Sequence, residues 1–166
     1  MEIREAVSTD WPSIYPIFRE IVAAGQTYAY PEGMSLDEAG ELWMADHVVV
    51  AVADDVILGS AKMGPNRPGR GAHIATASFM VDPASQSRGV GRALGTYLIE
   101  WARAAGFHGI QFNAVVETNE PAVHLWQALG FSIVGTVPEA FDHRDQGLVG
   151  LHVMFRPLAG QSMIGP

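Results

Sequence analysis

The chain contains no cysteine in its 166 residues. That excludes disulfides, thiolate metal sites and any covalent acyl-cysteine intermediate. Positive charge is also scarce: 10 Lys and Arg stand against 18 Asp and Glu, for a formal net charge of −8. A surface of that sign repels nucleic acid, whose binding rests on phosphate neutralisation, so no nucleic-acid partner is expected. Uncharged apolar runs of about 18 residues are missing, and with them any expected membrane span. The opening Met1-Glu2-Ile3-Arg4 lacks the apolar core of a secretory signal, so a cytoplasmic location is expected. None of the six histidines shows metal-ligand spacing with a second His or an acid, so no metal is expected. His143-Arg144-Asp145 matches a kinase catalytic triplet, but no Gly-rich nucleotide loop or Asp-Phe-Gly accompanies it, which makes the triplet structural.

What is present is an α/β pattern. Ile3–Val7 reads as a strand, and Ser8-Thr9-Asp10 caps a helix running to about Ala24 with Pro12 in its first turn. Ser35-x-x-Glu38 is a capping box opening a helix that ends at Leu42 or Met44. Val48–Ala53 and Val56–Met63 are strands joined by a tight turn at Asp54-Asp55. Gly64–Gly71 is a loop, and Ala72–Val81 a fourth strand ended by Asp82-Pro83. Leu94, Leu98, Trp101 and Ala105 fall at helical spacing within Val90–Ala105, with Gly106 just past the end. Ile110–Val116 is a strand and Pro121–Leu129 a helix closed by Gly130. Ser132–Val137 and Leu148–Phe155 are the last strands, separated by a polar loop. Residues 1–157 are expected to form one domain, and 158–166 a flexible tail.

The run Gln86-Ser87-Arg88-Gly89-Val90-Gly91-Arg92 joins a strand to a helix. The first N–H groups of a helix have no intrahelical partner, and the helix dipole puts about +0.5 of a charge there. Such a turn suits a pyrophosphate. A dinucleotide fingerprint would need a third glycine where Leu94 stands, and an acid about 20 residues on; Gly95 comes one place late and no acid lies between Trp101 and Val116. A Walker loop would need Gly-Lys-Ser/Thr, which the chain does not contain. What fits is Gln/Arg-x-x-Gly-x-Gly/Ala. Downstream stands Asn119-Glu120-Pro121-Ala122-Val123-His124-Leu125-Trp126, ending at Gly130-Phe131. With these two motifs, in this order, the chain resembles the GCN5-related N-acetyltransferases (GNAT).

The resemblance implies the GNAT fold: a mixed central sheet of about six to seven strands flanked by about four helices. It implies acetyl-coenzyme A as co-substrate, with its pyrophosphate on the backbone N–H groups of Gln86, Ser87, Arg88, Gly89, Val90, Gly91 and Arg92. It implies that backbone around Met80 and Val81 pairs with the pantetheine arm like an added strand and polarises the thioester carbonyl, and that Asn119 contacts that arm. The family usually carries Tyr where this chain has Trp126. An indole N–H donates a hydrogen bond but does not titrate, so a general-acid role does not carry over. Dimerisation is frequent in the family, and a homodimer is the expectation.

The acceptor side rests on local pattern. Strand alternation places Gln111, Asn113, Val115 and Glu117 on one face, with Glu117 a candidate base at the strand end and Asn113 and Trp126 beside it in the catalytic set. Thr76 and Ser78 share a face of the fourth strand. The family resemblance implies Tyr28 and Tyr30 as pocket walls, since family members bind substrate with the segment between the first two helices. The segment Phe112–Asn119 resembles acetyltransferases of small amino acids and proline analogues, in which an Asn stands where this chain has Thr76. The Ile3-Arg4-Glu5-Ala6 opening is similar to phosphinothricin-type acetyltransferases. A small-molecule amine acetylated directly in a ternary complex is the reading; a coenzyme A-binding sensor, or an enzyme acting on protein N-termini or lysines, stays open beside it.

Overall fold

A computed structural model describes residues 1–158. The elements are β1 (Glu2–Glu5), α1 (Trp11–Ala24), α2 (Leu36–Trp43), β2 (His47–Ala53), β3 (Val56–Pro65), β4 (Ile74–Val81), α3 (Val90–Ala104), β5 (Gly109–Val116), α4 (Glu120–Ala128), β6 (Ser132–His143) and β7 (Gly147–Pro157). Local chemistry sets several boundaries. The Ser35 hydroxyl accepts from the Glu38 N–H at 3.2 Å while the Glu38 carboxylate accepts from the Ser35 N–H at 2.9 Å, so both halves of the capping box form at the start of α2. Asp54 and Asp55 both take positive φ, 50° and 61°, as the two-residue turn between β2 and β3 demands.

The seven strands form one sheet in the order β1-β2-β3-β4-β5-β7-β6. Every neighbouring pair is antiparallel except β4 and β5. On one face α3 and α4 bury Leu94, Leu98, Ile110, Phe112, Trp126 and Phe131. On the other, α1 and α2 bury Ile14, Phe18, Trp43, Val50 and Met80. The fold class is the expected one.

The parallel junction is short. β4 and β5 pair only at Ile74–Gly109 and Ala75–Ile110, after which the strands splay. β5 then carries a bulge: Phe112 faces Met154 and Val115 faces His152, so β5 holds one residue more than β7 between those pairs. A splayed sheet with a bulge on one lip is a cleft, with the backbone edge of β4 along one side.

Two expectations change. β6 does not stop at Val137; a bulge between Val137 and Phe141, with Glu139 at φ 53°, lets it run on to His143 against β7. Phe141 anchors that extension in a small core with Val116 and Val149. The expected loop shrinks to the turn at residues 144–146. Leu158, assigned to the tail, is buried, and its N–H donates to the His108 carbonyl at 3.0 Å. The rest of the expected tail, residues 159–166, lies outside the described residues.

Candidate active site

A cleft of about 900 Å³ opens where β4 and β5 part, a size suited to a cofactor-sized ligand. At one end lies the loop leading into α3. Ser87 (φ 65°) and Gly89 (φ 78°) are both left-handed, which turns successive N–H groups to one side just before the unpaired N–H groups of the first α3 turn. Gly89 serves that conformation; no heavy atom lies within 4 Å of where its Cβ would be. Gly91 serves space instead: a Cβ there would stand 3.1 Å from Leu125 Cδ2. Gly95 is also a packing glycine, since a Cβ would come within 2.8 Å of both Trp126 and Leu129. The glycine that sat one place late for a dinucleotide fingerprint therefore makes room for an indole.

Along the cleft runs the edge of β4. The Asp82 N–H donates to Leu58, and the Ile74 carbonyl accepts from Asn66, so even-numbered residues direct their backbone groups to β3. By alternation Ala77, Phe79 and Val81 direct theirs into the cleft. Met80, expected beside the donor, therefore stands away from the cleft. Its backbone belongs to the β3 ladder and its side chain is 1% exposed beneath α1 and α2. Phe79, a residue the sequence reading missed, faces the cleft instead. Strand alternation could have offered either parity; only the partner of β4 decides.

The aromatic floor is made by Phe79, Phe112 and Trp126. Trp126 is 6% exposed, with ring centroids 4.6 Å from Phe79 and 4.8 Å from Phe112. Asn119 caps α4, its side chain accepting from the Ala122 N–H at 3.4 Å, and it also lines the cleft. Gln86, Ser87, Gly89, Val90, Gly91, Arg92 and Val81 line it too; Arg88 does not.

Tyr28, Tyr30, Thr76, Ser78 and Asn113 also line the cleft together. The Tyr28 and Tyr30 rings stack at 5.5 Å, and Tyr30 stacks on Phe18 at 5.5 Å. Burial raises the Tyr28 phenol well above its usual pKa, and it raises Tyr30 as well, against a lowering contact from Ser78. Both hydroxyls stay protonated. Asn113 donates to Asn66 at 2.6 Å and accepts from Gln111 at 2.9 Å. A side cavity of about 200 Å³ shares Tyr30, Thr76, Ser78 and Asn113 with the cleft and adds Asp46 and Lys62. The Lys62 ammonium lies 3.8 Å from Asp46 and donates to the Leu42 carbonyl at 3.1 Å. Neither charged residue was singled out from sequence. Lys62 is cross-strand partner to Ser78, a register the chain order alone does not show.

Glu117 is not part of this assembly. The bulge reverses the alternation, so that Val115 joins Ile110 and Phe112 in the core and not Asn113 on the opposite face. The Glu117 carboxylate accepts from the Gly150 N–H, and its backbone N–H donates to the Gly150 carbonyl at 3.0 Å. It fastens β5 to β7. His143 is likewise structural: its Nδ1 accepts from the N–H groups of Asp145 and Gln146 at 3.1 and 3.2 Å.

Known proteins resemble the chain over most of its length. N-acetyltransferase aca1 of Schizosaccharomyces pombe is 31% identical over 137 residues, 72% of this chain and 66% of that protein. The L-methionine sulfoximine/L-methionine sulfone acetyltransferase of Pseudomonas aeruginosa is 32% identical over 146 residues, 82% and 83% of the two chains. A solved GCN5-related N-acetyltransferase from Kribbella flavida matches with TM-score 0.92 and 58% identity, over 95% of this chain and 97% of that one. The chain spans two thirds or less of the length of the first curated relatives it matches. The sequence pattern of one family matches residues 5–131, which takes in the β4 edge, the α3 loop and the Asn119 motif, and the chain belongs to that family, the acetyltransferase (GNAT) family.

Proposed function

We propose that the chain transfers an acetyl group from acetyl-coenzyme A to the amine of a small amino acid or amino-acid analogue. The observation that carries this is the splay of β4 from β5, which leaves the cleft-facing N–H and C=O groups of Ala77, Phe79 and Val81 outside any strand ladder and opens onto the N–H groups at the start of α3. Those groups fit the donor: amide-bearing pantetheine along the ladder-free edge at Val81, the thioester carbonyl at Phe79, and pyrophosphate on the helix terminus. Acetyl-coenzyme A supplies an activated acyl carbonyl. The protein supplies N–H donors at β4 for the charge that develops on the acyl oxygen.

The acceptor amine attacks directly: its lone pair forms the C–N bond as the carbonyl π pair moves onto the acyl oxygen, and when the carbonyl re-forms the C–S bond breaks and the sulfur leaves with the C–S pair. A coenzyme A thiol has a pKa of about 8.5, so its anion leaves without a general acid, and Trp126 serves as wall. The ammonium proton passes to water or to Asp46, the carboxylate in the acceptor cavity. Lys62 and Asp46 give that cavity one charge of each sign, which complements a zwitterion and opposes a polycation. The P. aeruginosa relative, named for two amino-acid analogues, supports the same class. A homodimer through β6 also belongs to the proposal: Val134 is 68% and Val137 54% exposed on that edge strand.

The test is product identification after incubation with acetyl-coenzyme A and a panel of amino acids, proline analogues, polyamines, aminoglycosides and peptides. Acetylated amino acids are expected. Lys62→Met is expected to raise the acceptor KM by about tenfold or more, as loss of a charge-assisted hydrogen bond does. Amine-independent thioester hydrolysis would return the chain to the sensor reading, and preference for peptides would contradict the small acceptor.

A further inference from the structure

The Tyr28 hydroxyl makes an unusual pair of contacts. It donates to the Phe79 carbonyl at 2.6 Å and accepts from the Phe79 N–H at 2.7 Å. Both backbone groups of one cleft-facing residue are thus taken by one side chain from the loop between α1 and α2. These are the groups that the acyl carbonyl at the end of the donor's pantetheine arm would meet. A backbone N–H has a single hydrogen, so it cannot serve the phenol and an acyl oxygen at full strength together.

We propose that Tyr28 is a built-in competitor of the donor's acyl oxygen, holding the Phe79 N–H until the thioester carbonyl displaces it and taking it back once the acetyl group has gone. The inference rests on the donor site proposed above. Free coenzyme A has no acyl oxygen and can sit in the cleft with Tyr28 still in place. The phenol therefore disfavours the acetylated form relative to the product form, and the return of Tyr28 completes the turnover of the site.

The loop is built to allow this exchange. Its ends are tied to the β6–β7 turn: the Arg144 N–H donates to the Gly25 carbonyl at 2.9 Å, and the Arg144 side chain pairs with Glu32. Between those ties the Tyr28 ring is held by stacking on Tyr30, an interaction without directional bonds. Release of the hydroxyl breaks two hydrogen bonds to Phe79 and leaves both anchors intact.

The experiment compares binding of acetyl-coenzyme A and coenzyme A, by titration calorimetry, to the wild-type chain and Tyr28→Phe. The ring and its stacking remain in the variant, and the competitor is gone. The ratio of the acetyl-coenzyme A Kd to the coenzyme A Kd is expected to fall by about three- to tenfold, one hydrogen bond's worth. An unchanged ratio would overturn the proposal, and failure of both ligands to bind the wild-type chain would overturn the donor site itself. A second measurement uses wild-type protein alone. The Phe79 amide proton resonance is expected to move on adding acetyl-coenzyme A and to stay near its unliganded position with S-ethyl-coenzyme A, which has a methylene where the carbonyl stood. Equal shifts with the two ligands would contradict displacement by the acyl oxygen.

Discussion

Gly91→Glu is expected to weaken acetyl-coenzyme A binding by more than about a hundredfold while leaving the melting midpoint level or raising it. The two effects have separate causes. Gly91 is the second residue of α3, and a Cβ there meets only the tip of Leu125 at 3.1 Å and Val81 at 3.9 Å. Replacing a helical glycine gains about 0.5–1 kcal/mol, and an acid in the first turn gains about 0.3–1 kcal/mol from the dipole. These gains offset the few tenths of an ångström by which the Leu125 tip must give, so the unliganded fold loses little. A pyrophosphate on the same N–H groups meets a like charge; at ~5 Å and an effective dielectric of ~20 that repulsion is about 3 kcal/mol per charge pair. Calorimetric titration and a thermal melt of the same preparation check both halves. An unchanged Kd would move the pyrophosphate away from α3.

Trp126→Ala carries the largest expected cost in stability, about 3–5 kcal/mol, or roughly 10 °C in melting midpoint for a chain of this size. The indole sits among Phe79, Phe112 and Phe131, and α3 gives up a side chain at Gly95 to admit it. Removing it leaves a cavity between α3, α4 and the sheet that no flexible neighbour fills, and it removes the floor of the cleft. Trp126→Phe keeps most of the ring contact but loses the N–H. Its kcat is expected to stay within about threefold of wild type. A drop of more than about tenfold with an intact melting midpoint would give the indole N–H a part in catalysis.

The features legible in the sequence are those with local causes. The capping box at Ser35 and Glu38, the Asp54-Asp55 turn and the glycine-marked entry to α3 are each decided within a few residues, and each stands where the sequence placed it. Fold class followed from the order of elements and from two motifs. What stayed hidden depends on partners distant in the chain. Whether Met80 or Phe79 faces the cleft is settled by which neighbour pairs with β4, and hydrophobic pattern is silent on that. The β5 bulge moves Glu117 away from Asn113, although strict alternation puts them together. Lys62 and Asp46 look like ordinary surface charges until the β3–β4 register brings Lys62 beside Ser78. The α3 end of the cleft is written in motifs because helix termini and glycines act locally. The end lined by Thr76, Ser78 and Asn113 is written in register.

The central claim is that the donor lies along the open edge of β4 with its pyrophosphate at the start of α3. Backbone amide shifts on titration with acetyl-coenzyme A test it directly. The largest changes are expected at Ser87, Gly89, Gly91 and Arg92 and at the cleft-facing Ala77, Phe79 and Val81, with Ser78 and Met80, committed to the β3 ladder, changing least. Equal responses from odd and even residues of β4, or changes centred on β6 and β7, would contradict the account.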